Sequence, residues 1–141
     1  MGTEKIELGP VPNWWTRRHL LGLEDLSAQE ILLILEKAAV FKQIAAQEQK
    51  RLPLLAGKTC VTLFFENSTR TRTSFSLAGR RLGADMVDFS ASTSSLSKGE
   101  TFIDTAKNIE AMGVDAVIVR HRTPGTPQLL AQNLRCAVIN A

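Results

Sequence analysis

The sequence predicts an α/β protein, a parallel sheet of about four strands flanked by helices, and three observations lead there. Short runs rich in β-branched and apolar residues alternate with segments whose apolar residues recur at helical spacing, the grammar of βαβ units. The strand-like runs are apolar almost throughout, as expected when both faces of a sheet are covered. The length of 141 residues, with 44% hydrophobic and 22% charged residues, suits one ordinary folded domain. A chain of that size buries about 68–70% of its unfolded surface, enough for a core without staples.

Residues 1–26 hold Pro10, Pro12, Trp14 and Trp15 with little periodicity and read as an N-terminal arm; residues 27–141 read as the domain. The tryptophans anchor the arm either to its own core or to a neighbouring domain, since Trp buries a large area in both settings. Ser27 followed by Glu30 forms an S-x-x-E capping box ahead of an apolar stripe, predicting an amphipathic helix over about 28–48. After Pro53 and Gly57, Thr59 to Phe65 reads as a buried strand. Small polar residues then lead into Phe75, Leu77, Ala78 and Leu82 at helical spacing, closed by Gly83. The unit repeats with a strand over 84–89, a helix over 101–112 ending at Gly113, and a strand over 115–119. A short helix over 127–133 and a strand over 136–139 complete the series.

Composition excludes several classes. No window approaches the ~20 apolar residues of a membrane span. The N-terminus carries Glu4 and Glu7 and lacks an apolar core, so it does not read as a secretory signal, and a cytoplasmic location is expected. Cys60 and Cys136 each lie in an apolar run and are expected as buried structural thiols. His19 and His121, the only histidines, lack neighbouring ligands at metal-binding spacing, so no metal site is expected. The formal charge of +3 is small, and the basic cluster Arg70, Arg72, Arg80 and Arg81 has no interleaved stacking aromatics, which argues against nucleic acid and fits a small anionic substrate.

Chemistry concentrates in Glu66-Asn67-Ser68-Thr69-Arg70-Thr71-Arg72-Thr73, where a strand gives way to a helix. A helix N-terminus exposes unpaired N–H groups and the positive end of the macrodipole, so it attracts an anion before any side chain contributes. Ser68, Thr69 and Thr71 add hydroxyls, and Arg70 adds a fork suited to a phosphate. The glycines and lysine of the nucleotide P-loop are missing, so a nucleoside triphosphate is not the expected occupant. The alternative reading is a well-capped helix with solvated arginines. In parallel sheets ligands gather at the carboxyl ends of strands, which points also to the stretch after Phe89 and to Arg120, at the end of the Asp115–Val119 run.

Phe64-Phe65-Glu66-Asn67-Ser68-Thr69-Arg70-Thr71-Arg72 with Ser74-Phe75 resembles the carbamoyl-phosphate motif of the aspartate and ornithine carbamoyltransferase family. Ser94-Ser95-Leu96-Ser97-Lys98-Gly99-Glu100-Thr101 and Val114 to His121 agree with it in the same order, and the likeness runs from about Leu20 to Ala141. The Phe-Phe-Glu form and the Ser-x-x-Lys-Gly-Glu-Thr loop resemble the aspartate members more than the ornithine ones.

The resemblance implies the family's carbamoyl-phosphate domain and transfer of a carbamoyl group from carbamoyl phosphate to the α-amine of L-aspartate, a step of pyrimidine biosynthesis, with no cofactor. It implies that Ser68, Thr69, Arg70 and Thr71 hold the phosphate and that Arg120 contacts the same substrate, Arg70 and Arg120 being the catalytic pair. Ser95 and Lys98 match a loop that reaches an adjacent subunit's site, where the aspartate binds, and Glu100 matches an acidic residue pairing with Arg70 across that interface. A homotrimer with shared sites follows from the resemblance, and regulatory or other pathway subunits are possible partners.

Two local departures are Ser76, where relatives commonly carry Glu, and Arg122, where Pro is common. The larger one is that family members continue past the fourth strand into a His-Pro-x-Gln segment and an amino-acid-binding domain, whereas these residues end at Ala141. The 141 residues alone are therefore expected to be inactive. The competing readings are an ornithine or other amine carbamoyltransferase, and a non-catalytic anion-binding or assembly fragment.

Overall fold

The computed structural model describes residues 6–90 and 101–141. Eight elements follow in order: α1 (Ala28–Ala45), β1 (Thr59–Phe64), α2 (Thr69–Arg81), β2 (Asp85–Ser90), α3 (Phe102–Glu110), β3 (Ala116–Arg120), α4 (Thr126–Asn133) and β4 (Ala137–Asn140). Each expected helix and strand is present, with ends shifted by up to three residues. The four strands form one parallel sheet in the order β2-β1-β3-β4.

The chain divides into two compact units. One comprises the N-terminal residues through Arg17 together with Gly22–Lys50. Within it the Ser27 hydroxyl accepts the Glu30 N–H at 3.1 Å while the Glu30 carboxylate accepts the Ser27 N–H at 3.2 Å, the reciprocal box read from the sequence. The arm is fastened to α1 by cations in both directions. Arg17 pairs with Glu30 and with Asp25, the latter at 2.7 Å, and Lys37 donates to the carbonyls of Leu8, Gly9 and Pro10. Trp15 and Val11 line an apolar cavity of about 340 Å³ with Leu33, Ile34, Ala38 and Phe41 of α1.

The second unit, Arg18–Leu21 with Arg51–Ala141, contains the sheet. Because side chains alternate along a strand, Val61, Leu63, Val117, Val119 and Val138 share one face. Ala106 and Ile109 of α3, Leu130 of α4, and Leu134 cover that face to form the core. Helix α2 packs on β1 and β2 against the other face, where buried Gly79 admits the Met86 side chain so closely that a Cβ would overlap its sulfur. Gly83 and Gly113 follow the ends of α2 and α3 with φ of 86° and 89°, left-handed turns that favour glycine.

Leu20 extends the sheet beyond β4. It bridges Ile139 in parallel, donating to Val138 O at 2.9 Å and accepting from Asn140 N at 2.8 Å, while His19 Nδ1 accepts the Val138 N–H at 3.0 Å. Burial lowers the pKa of His19, which favours the neutral, hydrogen-bond-accepting ring. At the amino end of β4 the Glu110 carboxylate accepts the N–H groups of Arg135 and Cys136 at 2.6 and 2.8 Å. Burial pushes that carboxyl upward, but the two N–H bonds outweigh it and leave the pKa below its usual value. Both cysteines are free and buried, and burial raises both thiol pKa values, that of Cys136 to about 12 with Glu110 adding to the effect.

Candidate functional site

The strand order fixes where a ligand belongs. From β1 the chain moves outward to β2, then returns past β1 to β3 and on to β4, so the connections leave in opposite directions between β1 and β3. A crevice opens at such a switch point, beyond the carboxyl ends of the two strands. The last register pair there is Phe64 with Arg120, and Phe65 N–H donates to Arg120 O at 2.9 Å. The Ser68–Thr71 segment and Arg120 therefore leave adjacent strands at the same end of the sheet.

Ser68 occupies the N-cap position of α2, yet its side chain makes no capping hydrogen bond. Its hydroxyl donates instead to Thr71 Oγ1 at 2.9 Å. This counts against the well-capped-helix reading, because among the described residues the Ser68 side chain caps none of the first-turn N–H groups of α2, and a helix N-terminus without that cap favours an anion. Thr71, having accepted from Ser68, keeps its own proton to donate. Thr69 and Arg70 are exposed, and Arg70 lies in the first turn, where its charge adds to the positive end of the helix.

Arg120 is held from the side of the β1–α2 loop. Its Nε donates to Glu66 Oε1 at 2.6 Å, and Arg122 Nε lies 4.0 Å from the other Glu66 oxygen. Glu66 stands within the sequence motif but carries no role legible there; its partner lies 54 positions away. A guanidinium offers five donors, so the pair fixes the plane of Arg120 while using only part of its capacity.

Behind Arg120, the ring of His121 packs between Phe65 and Phe102, with ring centroids 4.9 and 5.3 Å away. His121 Nδ1 accepts the Thr123 N–H at 3.0 Å. Burial lowers its pKa, with Glu66 opposing, so the ring is a neutral acceptor packed behind the site. Among the described residues no group of three or more His, Cys, Asp or Glu side chains could hold a metal, and no helix is long and apolar enough to cross a membrane. Ser95, Lys98 and Glu100 lie outside the described residues.

Known proteins share this fold. The family described as "Aspartate/ornithine carbamoyltransferase, carbamoyl-P binding domain" matches residues 18–141. The aspartate carbamoyltransferase catalytic subunit of Rhodopirellula baltica is 62% identical over 130 residues, covering 92% of this chain and 38% of that protein. The corresponding subunit of Gloeobacter violaceus is 53% identical, covering 90% of this chain and 40% of its own. Among solved structures, the catalytic subunit of M. jannaschii aspartate transcarbamoylase superposes with a TM-score of 0.80 at 36% identity, over 89% of this chain and 40% of that one. Aspartate transcarbamoylase from Trypanosoma cruzi, in complex with carbamoyl phosphate and aspartate, superposes with a TM-score of 0.79 at 29% identity, over 87% of this chain and 38% of that one. The chain thus spans about two fifths of the length of the relatives it matches.

Proposed function

Since the chain belongs to the aspartate/ornithine carbamoyltransferase family, through its carbamoyl-phosphate-binding domain, we propose that it supplies the carbamoyl-phosphate half of an aspartate carbamoyltransferase. The observation that carries the reading is the meeting of an uncapped helix N-terminus and a fixed arginine at the β1/β3 switch point. Residues 27–141 constitute the binding domain and residues 1–26 its arm.

The chemistry follows from the groups present. The α-amine of aspartate attacks the carbonyl carbon of carbamoyl phosphate, a C–N bond forms, the ammonium proton is lost, and the C–O bond to phosphate breaks. Negative charge grows on the carbonyl oxygen and on the departing phosphate. The Ser68–Thr71 N–H groups and hydroxyls, with Arg70, take the phosphate, while Arg120 faces the carbonyl side. Preorganised donors of this kind lower the barrier most where charge develops, and holding the two reactants in line supplies much of the rest. No protein nucleophile or cofactor enters the scheme.

Ser95 and Lys98 are assigned to the aspartate side of an adjacent subunit's site, and Glu100 to the interface with Arg70, in a homotrimer working in the cytoplasm within pyrimidine biosynthesis. Regulatory subunits remain compatible with this scheme.

Calorimetric titration of carbamoyl phosphate into the purified chain tests the reading. Binding that disappears in Arg70→Ala is expected, together with no carbamoyl-aspartate formation by these residues alone. Unchanged affinity in that variant would refute the cradle.

A further inference from the structure

The first turn of α2 carries a second arginine that behaves unlike the first. Arg72 is the fourth residue of the helix, and a cation there opposes the macrodipole. Its N–H donates to Ser68 O at 3.0 Å, closing the turn that contains residues 68–71. Arg70 is exposed, whereas the Arg72 side chain is only 28% exposed, and its guanidinium carbon lies 5.4 Å from the centroid of the buried Phe64 ring.

Arg72 Nε is buried and 3.4 Å from Asp88 Oδ1, an ion pair in which Nε makes no hydrogen bond. Asp88 Oδ1 in turn accepts the Thr62 hydroxyl at 2.5 Å, and Thr62 is 1% exposed. Thr62 and Asp88 are register partners on β1 and β2. A chain of contacts therefore runs from the buried centre of the sheet, through an edge-strand carboxylate, to the first turn of α2.

We propose that Arg72 is the positioning residue of the Ser68–Thr71 cradle, with Asp88 as its anchor, and that it does not itself bind the anion. The assignment rests on the cradle reading above. The physical case is a division of labour. A cation stacked on Phe64 and faced by Asp88 has its charge locally balanced, and its planar group fixes how the helix sits on the sheet. The N–H groups of the first turn then keep a constant direction, which matters because small misplacements of binding groups are costly.

The test is calorimetric titration of inorganic phosphate into the chain and its variants, at a temperature where circular dichroism shows each fully folded. Arg72→Met is expected to weaken binding about tenfold, as is typical when a group that orients binding groups is removed. Arg72→Lys should weaken it comparably, because an ammonium keeps the charge but lacks the plate that stacks on Phe64. Asp88→Asn should act likewise, and the Arg72→Met, Asp88→Asn double variant should be no worse than the poorer single, since both remove one contact chain.

Wild-type affinity in Arg72→Lys would overturn the proposal by showing that charge alone suffices. Unchanged affinity in folded Arg72→Met would overturn it by reducing Arg72 to a stability element. Arg70→Ala separates the two readings. If it binds normally the cradle itself fails, whereas if it loses binding while Arg72→Met keeps it, only the positioning role fails.

Discussion

Glu66 Oε1 accepts the Nε–H of Arg120 at 2.6 Å, tying the residue two places after β1 to the last residue of β3. Both side chains are about a third exposed, so the pair is worth less than a buried one. A double-mutant cycle of Glu66→Gln and Arg120→Met, followed by urea denaturation, should give a coupling of about 1 kcal/mol. A coupling indistinguishable from zero would mean that Glu66 does not hold Arg120 in solution.

Gly79 is a packing requirement rather than a helix defect. Alanine in a helix interior ordinarily gains about 1 kcal/mol over glycine. Here the added Cβ would overlap Met86 Sδ and lie 3.0 Å from its Cγ. Gly79→Ala should therefore forfeit that gain, because Met86 must shift to admit the Cβ, and Met86→Ala in the same chain should restore it. A stabilised single variant in chemical denaturation would contradict this packing.

The arm should loosen in acid. Hydrogen bonding to Arg17 lowers the Glu30 pKa from its ordinary value to about 2. The carboxylate is charged in the folded state at pH values where the unfolded chain would already bind a proton. Its stabilisation is present above the usual carboxylate range, near 4.3, and is lost as pH falls from there through about 2. Trp14 and Trp15 are the only tryptophans, so their emission reports this unit alone. An acid titration should show a transition in that window that Glu30→Gln flattens; an identical transition in the variant would exclude Glu30 as its source.

Neither thiol should react readily in the folded protein. Cys60 and Cys136 are buried and their pKa values are raised, so the thiolate fraction at pH 8 is small as well as shielded. A disulfide reagent should label both only after denaturant is added. Fast labelling of either in native buffer would show that its surroundings open locally.

Local grammar was readable where the determinants are close in sequence. Ser27 and Glu30 cap each other across three residues, and Gly83 and Gly113 close the turns that follow α2 and α3. The polar strand-to-helix junction at Ser68–Thr71 and the arginine that ends an apolar run, Arg120, stand out in one dimension, and the fold brings both to one end of the sheet. The contacts that orient these groups do not stand out in that way. Glu66 finds Arg120 across the sheet, and Arg72 meets Asp88 only because Asp88 is drawn beside Thr62 by strand register. Even Ser68, which holds the N-cap position, turns its hydroxyl to Thr71 instead of the backbone.

The parallel bridge from Leu20 to Ile139 makes the outermost strand depend on a segment 119 residues earlier in the chain. During synthesis that segment is made long before β4, and it has no partner until β4 is complete. Until Leu20 docks, β4 presents bare N–H and C=O groups on that side, a template that a second molecule could extend. Closing so long a loop is also a late and entropically expensive event. The same four residues, Arg18–Leu21, thus act as a completion seal, which predicts that internal deletions near them would surface as aggregation during expression before they surfaced as lost binding.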